Sequence, residues 1–125
     1  FLMVLLSTFP EFTGRAVAEP EVGCFTIEFS APSGSAFSIS TEDDQITVGF
    51  DAHHVHFGGW SASVDTQDFG NAIDYIRRLM NGDYQVAVWT REGEFAGSVT
   101  FARGETPQPW GNRDGLTVAI KKWGP

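Results

Sequence analysis

Apolar residues fall at every second position over three successive stretches of the chain. In residues 23–30, Phe25, Ile27 and Phe29 alternate with Cys24, Thr26, Glu28 and Ser30. That is the period of a strand with one face on a core. Pro32-Ser33-Gly34 predicts a turn. Residues 36–40 then alternate again, with Phe37 and Ile39 inward, and Gln45–Phe50 gives a third strand with Ile46, Val48 and Phe50 inward. The short connections predict an antiparallel meander. His53–Phe57 continues it as a fourth strand. Here the parity slips, because Phe50 is even whereas Val55 and Phe57 are odd. A bulge or tight bend near Asp51-Ala52 would restore the register.

At residues 65–81 the period changes to that of a helix. Phe69, Ala72, Ile73, Ile76, Leu79 and Met80 form an apolar stripe at spacings of 3 and 4, which predicts a helix packed on one side. Asp65 or Thr66 can cap it, Asp68 suits the first turn, and Arg77 and Arg78 suit the last. Asn81-Gly82 is a stop signal. Two further strands follow, carrying Tyr84, Val86 and Val88 and then Phe95, Gly97, Val99 and Phe101. Glu92-Gly93 makes them a hairpin. Residues 103–114 read as loop, and Leu116, Val118 and Ile120 mark a last strand. Residues 1–9 are apolar and end at Pro10, which predicts a short buried helix cut off by the proline, a buried strand being the alternative. Residues 13–22 read as loop. The expected fold is α+β in a single domain over residues 1–125. It has a mostly antiparallel sheet of about six to seven strands and one long helix (65–81) on one face. The opposite face would be left open, carrying Thr26, Glu28 and Ser38.

Composition fits such a domain. Of 125 residues, 42% are hydrophobic, which at this length is enough for a core without disulfides or metals. The lone Cys24 can form no internal disulfide, and within a strand pattern it reads as a small buried apolar residue. Sixteen acidic against eight basic residues leave a net charge of −8. This argues against a nucleic-acid ligand and suits a cationic partner such as a basic protein, although solubility is by itself the better account of it. The apolar run Phe1–Leu6 is far shorter than the ~20 residues of a membrane span. It is preceded by no basic segment, and Pro10, Glu11 and Arg15 interrupt the stretch before Ala16-Val17-Ala18. The expectation is a cytoplasmic protein without a signal peptide.

The three histidines lie within His53-His54-Val55-His56. On a strand, His54 and His56 share a face, while His53 points with Val55 and Phe57. Such a pair can reach one metal ion, but a zinc site needs a third ligand and the sequence names none. Alternatively the two histidines hydrogen-bond on the sheet, or form part of a binding surface. No local signature makes Cys24 a nucleophile, and Gly58-Gly59 lacks the lysine and spacing of a phosphate loop. No cofactor and no tightly bound metal are therefore expected. Glu42-Asp43-Asp44 is the densest acidic cluster. Trp60 and Trp110 sit in polar, glycine-containing loops, where a tryptophan either anchors a partner or pins its own loop to the core.

The segment Ile46-Thr47-Val48-Gly49-Phe50-Asp51-Ala52-His53-His54-Val55-His56-Phe57 resembles the "T-V-x-F…H-x-H-F" strand of a group of small bacterial proteins. In those proteins an amphipathic helix, a hairpin and a Trp-Gly follow. The counterparts here are residues 69–80, 84–101 and Trp123-Gly124, so the resemblance covers the C-terminal two thirds. His53 and Gly58-Gly59-Trp60 depart from the pattern. Members of the group look like immunity proteins of bacterial toxin systems or have no assigned role. The resemblance implies a protein-binding immunity factor that blocks a basic toxin domain by occlusion, with Glu42, Asp43, Asp44, His54, His56, Trp60 and Trp110 as candidate contacts. It carries over no catalytic residue. The alternative is a small enzyme or metal-binding protein using His54 and His56.

Overall fold

A computed structural model describes residues 1–19, 24–42, 45–58 and 66–125. The chain opens with α1 (Leu2–Thr8) and a short 3-10 helix (Pro10–Arg15). Pro10, which cannot continue α1, begins the second helix at a position where its missing N–H costs nothing. Five strands then form an antiparallel meander in chain order: β1 (Ala16–Glu19), β2 (Cys24–Ser30), β3 (Ala36–Glu42), β4 (Gln45–Phe50) and β5 (His53–Gly58). After α2 (Thr66–Met80) come β6 (Tyr84–Arg91), β7 (Glu94–Ala102) and β8 (Leu116–Lys121). These make a separate antiparallel sheet with β6 in the middle.

The α+β class and the predicted helix hold, but the expectation of one sheet of six to seven strands is corrected. Among the described residues there are two sheets, of five and three strands. The extra strand, β1, lies in a stretch that reads as loop. Ala16-Val17-Ala18-Glu19 is too short to show a period and is held by pairing with β2. The split follows from β6, where Val86, Ala87, Val88 and Trp89 are all buried. β6 also pairs with β7 along one edge and β8 along the other, so neither edge is left to join the meander.

The parity slip at Asp51-Ala52 proves to be a complete chain reversal. Phe50 pairs with His53, Val48 with Val55 and Ile46 with Phe57. A two-residue turn pairs even positions with odd ones, so Val55 and Phe57 share the inward face of Ile46 and Val48. Asp51 takes the required positive φ of 55°, a conformation Asp tolerates better than most residues. In the second hairpin Glu92 and Gly93 both have positive φ, 54° and 81°, as the favoured two-residue turn demands. Glycine suits that backbone and glutamate does not. Glu92→Asn is expected to raise the unfolding free energy by ~1 kcal/mol, read as a higher urea midpoint at unchanged slope.

The core lies between the first sheet and the helices. Phe25, Ile27, Phe37, Ile39, Ile46, Val48 and Phe50 point inward from the meander, Leu5, Phe9 and Phe12 cover one end, and Ala72, Ile73, Tyr75, Ile76 and Leu79 of α2 cover the other. α2 also packs on β6 and so joins the two sheets. It stops as expected, with Gly82 at φ 85° donating to the Leu79 carbonyl. Asp68 lies in its first turn and Asp74 pairs with Arg78 at 3.0 Å, whereas Asp65 lies outside the described residues. Trp123 closes the core from the C-terminal side, edge-on to Phe37 at 4.9 Å and stacked on Phe50 at 6.1 Å. Among the described residues no helix is long and apolar enough to cross a membrane.

Candidate functional site

The outer face of the meander is polar, as the alternation predicts. Pairing places Thr26, Ser40, Thr47 and His56 in one row across the strands, and Glu28, Ser38, Gly49 and His54 in the next. Both histidines are exposed. His56 shares a hydrogen bond of 2.9 Å between Nδ1 and Thr47 Oγ1, directly across from it. His54 lies over Gly49. A β-carbon at position 49 would stand 2.5 Å from Ser38 Oγ and 3.1 Å from His54 Cδ2. Gly49 has no positive φ, so the glycine is there for room and not for backbone freedom. No group of three His, Cys, Asp or Glu with metal-binding geometry occurs among the described residues, and nothing in the geometry favours a metal at His54 and His56. Cys24 is half-buried on this same outer alternation, which corrects its expected place in the core.

The other candidate contacts do not gather on this face. Glu42 closes β3 opposite Gln45, and Asp43, Asp44 and Trp60 lie outside the described residues. Trp110, in the loop before β8, is 85% exposed, so it does not pin its loop to the core. Arg91 holds that loop instead, donating from Nη2 to the Asn112 carbonyl at 2.6 Å and from Nε to the Asp114 carbonyl at 3.0 Å. An indole left in water on a tethered backbone is set up for contact at little further ordering cost.

Trp110 lines a cleft that the sequence did not reveal, together with His53, Tyr75, Tyr84, Phe101 and Glu105. Two hydrogen bonds cross it between the layers. His53 Nδ1, from β5, meets Ser98 Oγ of β7 at 2.7 Å. The Tyr75 hydroxyl, from α2, meets Thr100 Oγ1 at 2.8 Å. Ser98 and Thr100 are two apart on β7, so both face the cleft. Tyr75 is flanked by Phe57 at 5.9 Å and Tyr84 at 5.7 Å, and the Arg78 guanidinium lies over Tyr84. Burial pushes the Tyr75 phenol up, a shift opposed by its bond to Thr100 and reinforced by Tyr84. Burial, then the neighbouring His54, pushes the His53 imidazole down.

A serine and an imidazole at 2.7 Å have the spacing of an activated hydroxyl. The lowered His53 is a weaker proton acceptor, however, and no carboxylate is bonded to it among the described residues. The pair acts as a polar rivet between the sheets. Its cost appears at low pH. Below the ordinary imidazole value of about 6.5, the unfolded chain takes up a proton at residue 53 that the folded chain refuses, so stability falls with pH until the folded form also protonates. His53→Gln should flatten that part of the stability profile between pH 7 and 5, measured by urea unfolding. The signal for this site was weak. His53 is one of three clustered histidines, and Tyr75 falls just outside the aliphatic stripe of α2. No family model, curated protein or solved structure matches the chain.

Proposed function

We propose that the chain is a protein-binding factor of the immunity type, which neutralises a basic bacterial toxin domain by covering it. The observation that carries this reading is Trp110: a large aromatic, 85% exposed, held out by a tethered loop beside an aromatic cleft. Tryptophans of this kind are the commonest energetic anchors of protein interfaces. Two further features support it, the net charge of −8 and the resemblance of residues 46–57 to the histidine-containing strand of toxin-system immunity proteins. Association would be steered by the acidic surface and held by the aromatic anchor.

A toxin-like gene is expected beside the gene of this chain; coexpression of the two should restore growth, and the purified pair should form a complex. If growth is not restored and no complex forms, the reading is lost. In that complex the association rate should drop as salt rises, because exposed charges are screened over about 8 Å at physiological ionic strength. Changing Glu42, Asp43 and Asp44 together to serine should slow association several-fold and leave dissociation nearly unchanged, as read by stopped-flow mixing. An association rate indifferent to both salt and the triple change would rule out the electrostatic part of the mechanism.

A further inference from the structure

The cleft beside Trp110 has a volume of about 660 Å³ and carries the rings of Tyr75, Tyr84, Phe101 and Trp110 on its walls. Its polar wall groups are largely spent on one another, His53 on Ser98 and the Tyr75 hydroxyl on Thr100. Glu105 is different. It lines the same cleft and is exposed. Its carboxylate has no hydrogen bond or ion pair among the described residues. The backbone fixes its place, because the Glu105 N–H donates to the Ala102 carbonyl at 3.0 Å in a tight turn leading off β7. The cations of the adjoining segments are engaged elsewhere. Arg103 reaches Asp83 at 3.5 Å and Arg78 reaches Asp74 at 3.0 Å, and neither lines the cleft.

An unpaired carboxylate among aromatic faces selects a cation. The ring quadrupoles attract positive charge and the carboxylate balances it. A neutral apolar group would cover Glu105 and leave it without a partner. A sugar would need free hydroxyl partners, and those in the cleft are bonded to each other. Among cations the guanidinium fits best. It is planar and weakly hydrated, so it stacks on a ring while its N–H edge stays free for a carboxylate. One wall of the cleft already shows the preference, since Tyr84 takes the Arg78 guanidinium over its ring at 5.5 Å. A free small molecule is ordinarily enclosed by its pocket, whereas Trp110 is left 85% exposed and would be covered only by a protein surface. We propose that the cleft receives an arginine side chain of a protein partner, its guanidinium against the aromatic wall at Trp110 and paired with Glu105. That the arginine comes from a protein rests on the protein-binding reading; the chemistry of the cleft does not.

The probe is a short blocked glycine peptide with one central arginine, titrated to millimolar concentration into the full chain and followed by two-dimensional NMR. Its resonance shifts should be confined to the Trp110 indole N–H and the backbone amides of Phe101 and Glu105. The same peptide with lysine should bind more weakly, and with citrulline, which keeps the shape without the charge, it should leave the spectrum unchanged. Glu105→Gln and Trp110→Ala should each weaken the arginine peptide about fivefold, read at the Phe101 amide, with an unchanged circular dichroism spectrum because both sites are exposed. Cleft resonances that ignore the arginine peptide, or an affinity that Glu105→Gln leaves as it was, overturn the proposal. Lysine or citrulline binding as tightly as arginine overturns the choice of a guanidinium. The two readings fail separately. Peptide binding without any toxin complex keeps the cleft as an arginine site and loses the immunity reading. A toxin complex that Glu105→Gln does not weaken keeps the immunity reading and loses the arginine at this cleft.

Discussion

Phe37→Ala is expected to lower the unfolding free energy by about 3–5 kcal/mol, the usual cost of emptying a buried phenylalanine site. Phe37 is 1% exposed and is the point where three separate parts of the chain meet. Its ring lies 6.0 Å from Phe12 of the 3-10 helix, 5.2 Å from Phe29 of β2 and 4.9 Å from Trp123 beyond β8. These neighbours come from different elements and cannot all collapse into the gap, so most of the cavity should persist. Against a typical total of about 5–15 kcal/mol, such a loss leaves a domain of this size marginal or unfolded. Equilibrium unfolding in urea measures it. Phe95→Ala is the control. That ring is 59% exposed, and its removal should change stability by no more than about 0.5 kcal/mol. If the two variants unfold alike, Phe37 is not the centre of the core.

The largest functional effect is expected from Trp110→Ala. If Trp110 anchors the partner, truncation should cost about 2 kcal/mol of binding, roughly a 30-fold loss of affinity, nearly all of it as faster dissociation. The urea midpoint of the isolated chain should not move, because the indole contributes little to the fold from its exposed position. His54→Ala and His56→Ala lie on the outer face of the meander, a different surface. Their dissociation rates, measured by surface plasmon resonance beside that of Trp110→Ala, decide which surface holds the partner. Faster dissociation confined to the histidine variants would move the interface to the meander face.

Period alone was enough to locate β2 to β5 and α2, because each has one face in apolar surroundings and one in water, and Glu92-Gly93 marked the hairpin of β6 and β7. Burial of one face leaves a repeat of two or 3.6 residues that needs no knowledge of the partner. The end of α2 at Asn81-Gly82 and the reversal near Asp51-Ala52 were legible for the same local reason. Elements whose environment is set from far along the chain were not. β1 has too few residues for a period and exists because β2 offers an edge. β6 alternates like a half-buried strand, yet Ala87 and Trp89 are as buried as Val86 and Val88. Leu116, Val118 and Ile120 mark β8 by their period, but only tertiary packing decides that Val118 and Ile120 are left 47% and 45% exposed. His53 and Ser98 are 45 residues apart and Tyr75 and Thr100 are 25 apart, so no local pattern could join them. Only the docking of β7 against β5 and α2 brings their polar atoms within bonding distance. The sequence by itself determined where the chain is regular and which side of each element is apolar, since those depend on neighbours a few residues away. The division into two sheets, the cleft between them and the exposed edge at β8 were decided by contacts across the whole chain, whose choice lies in how those faces share the buried space.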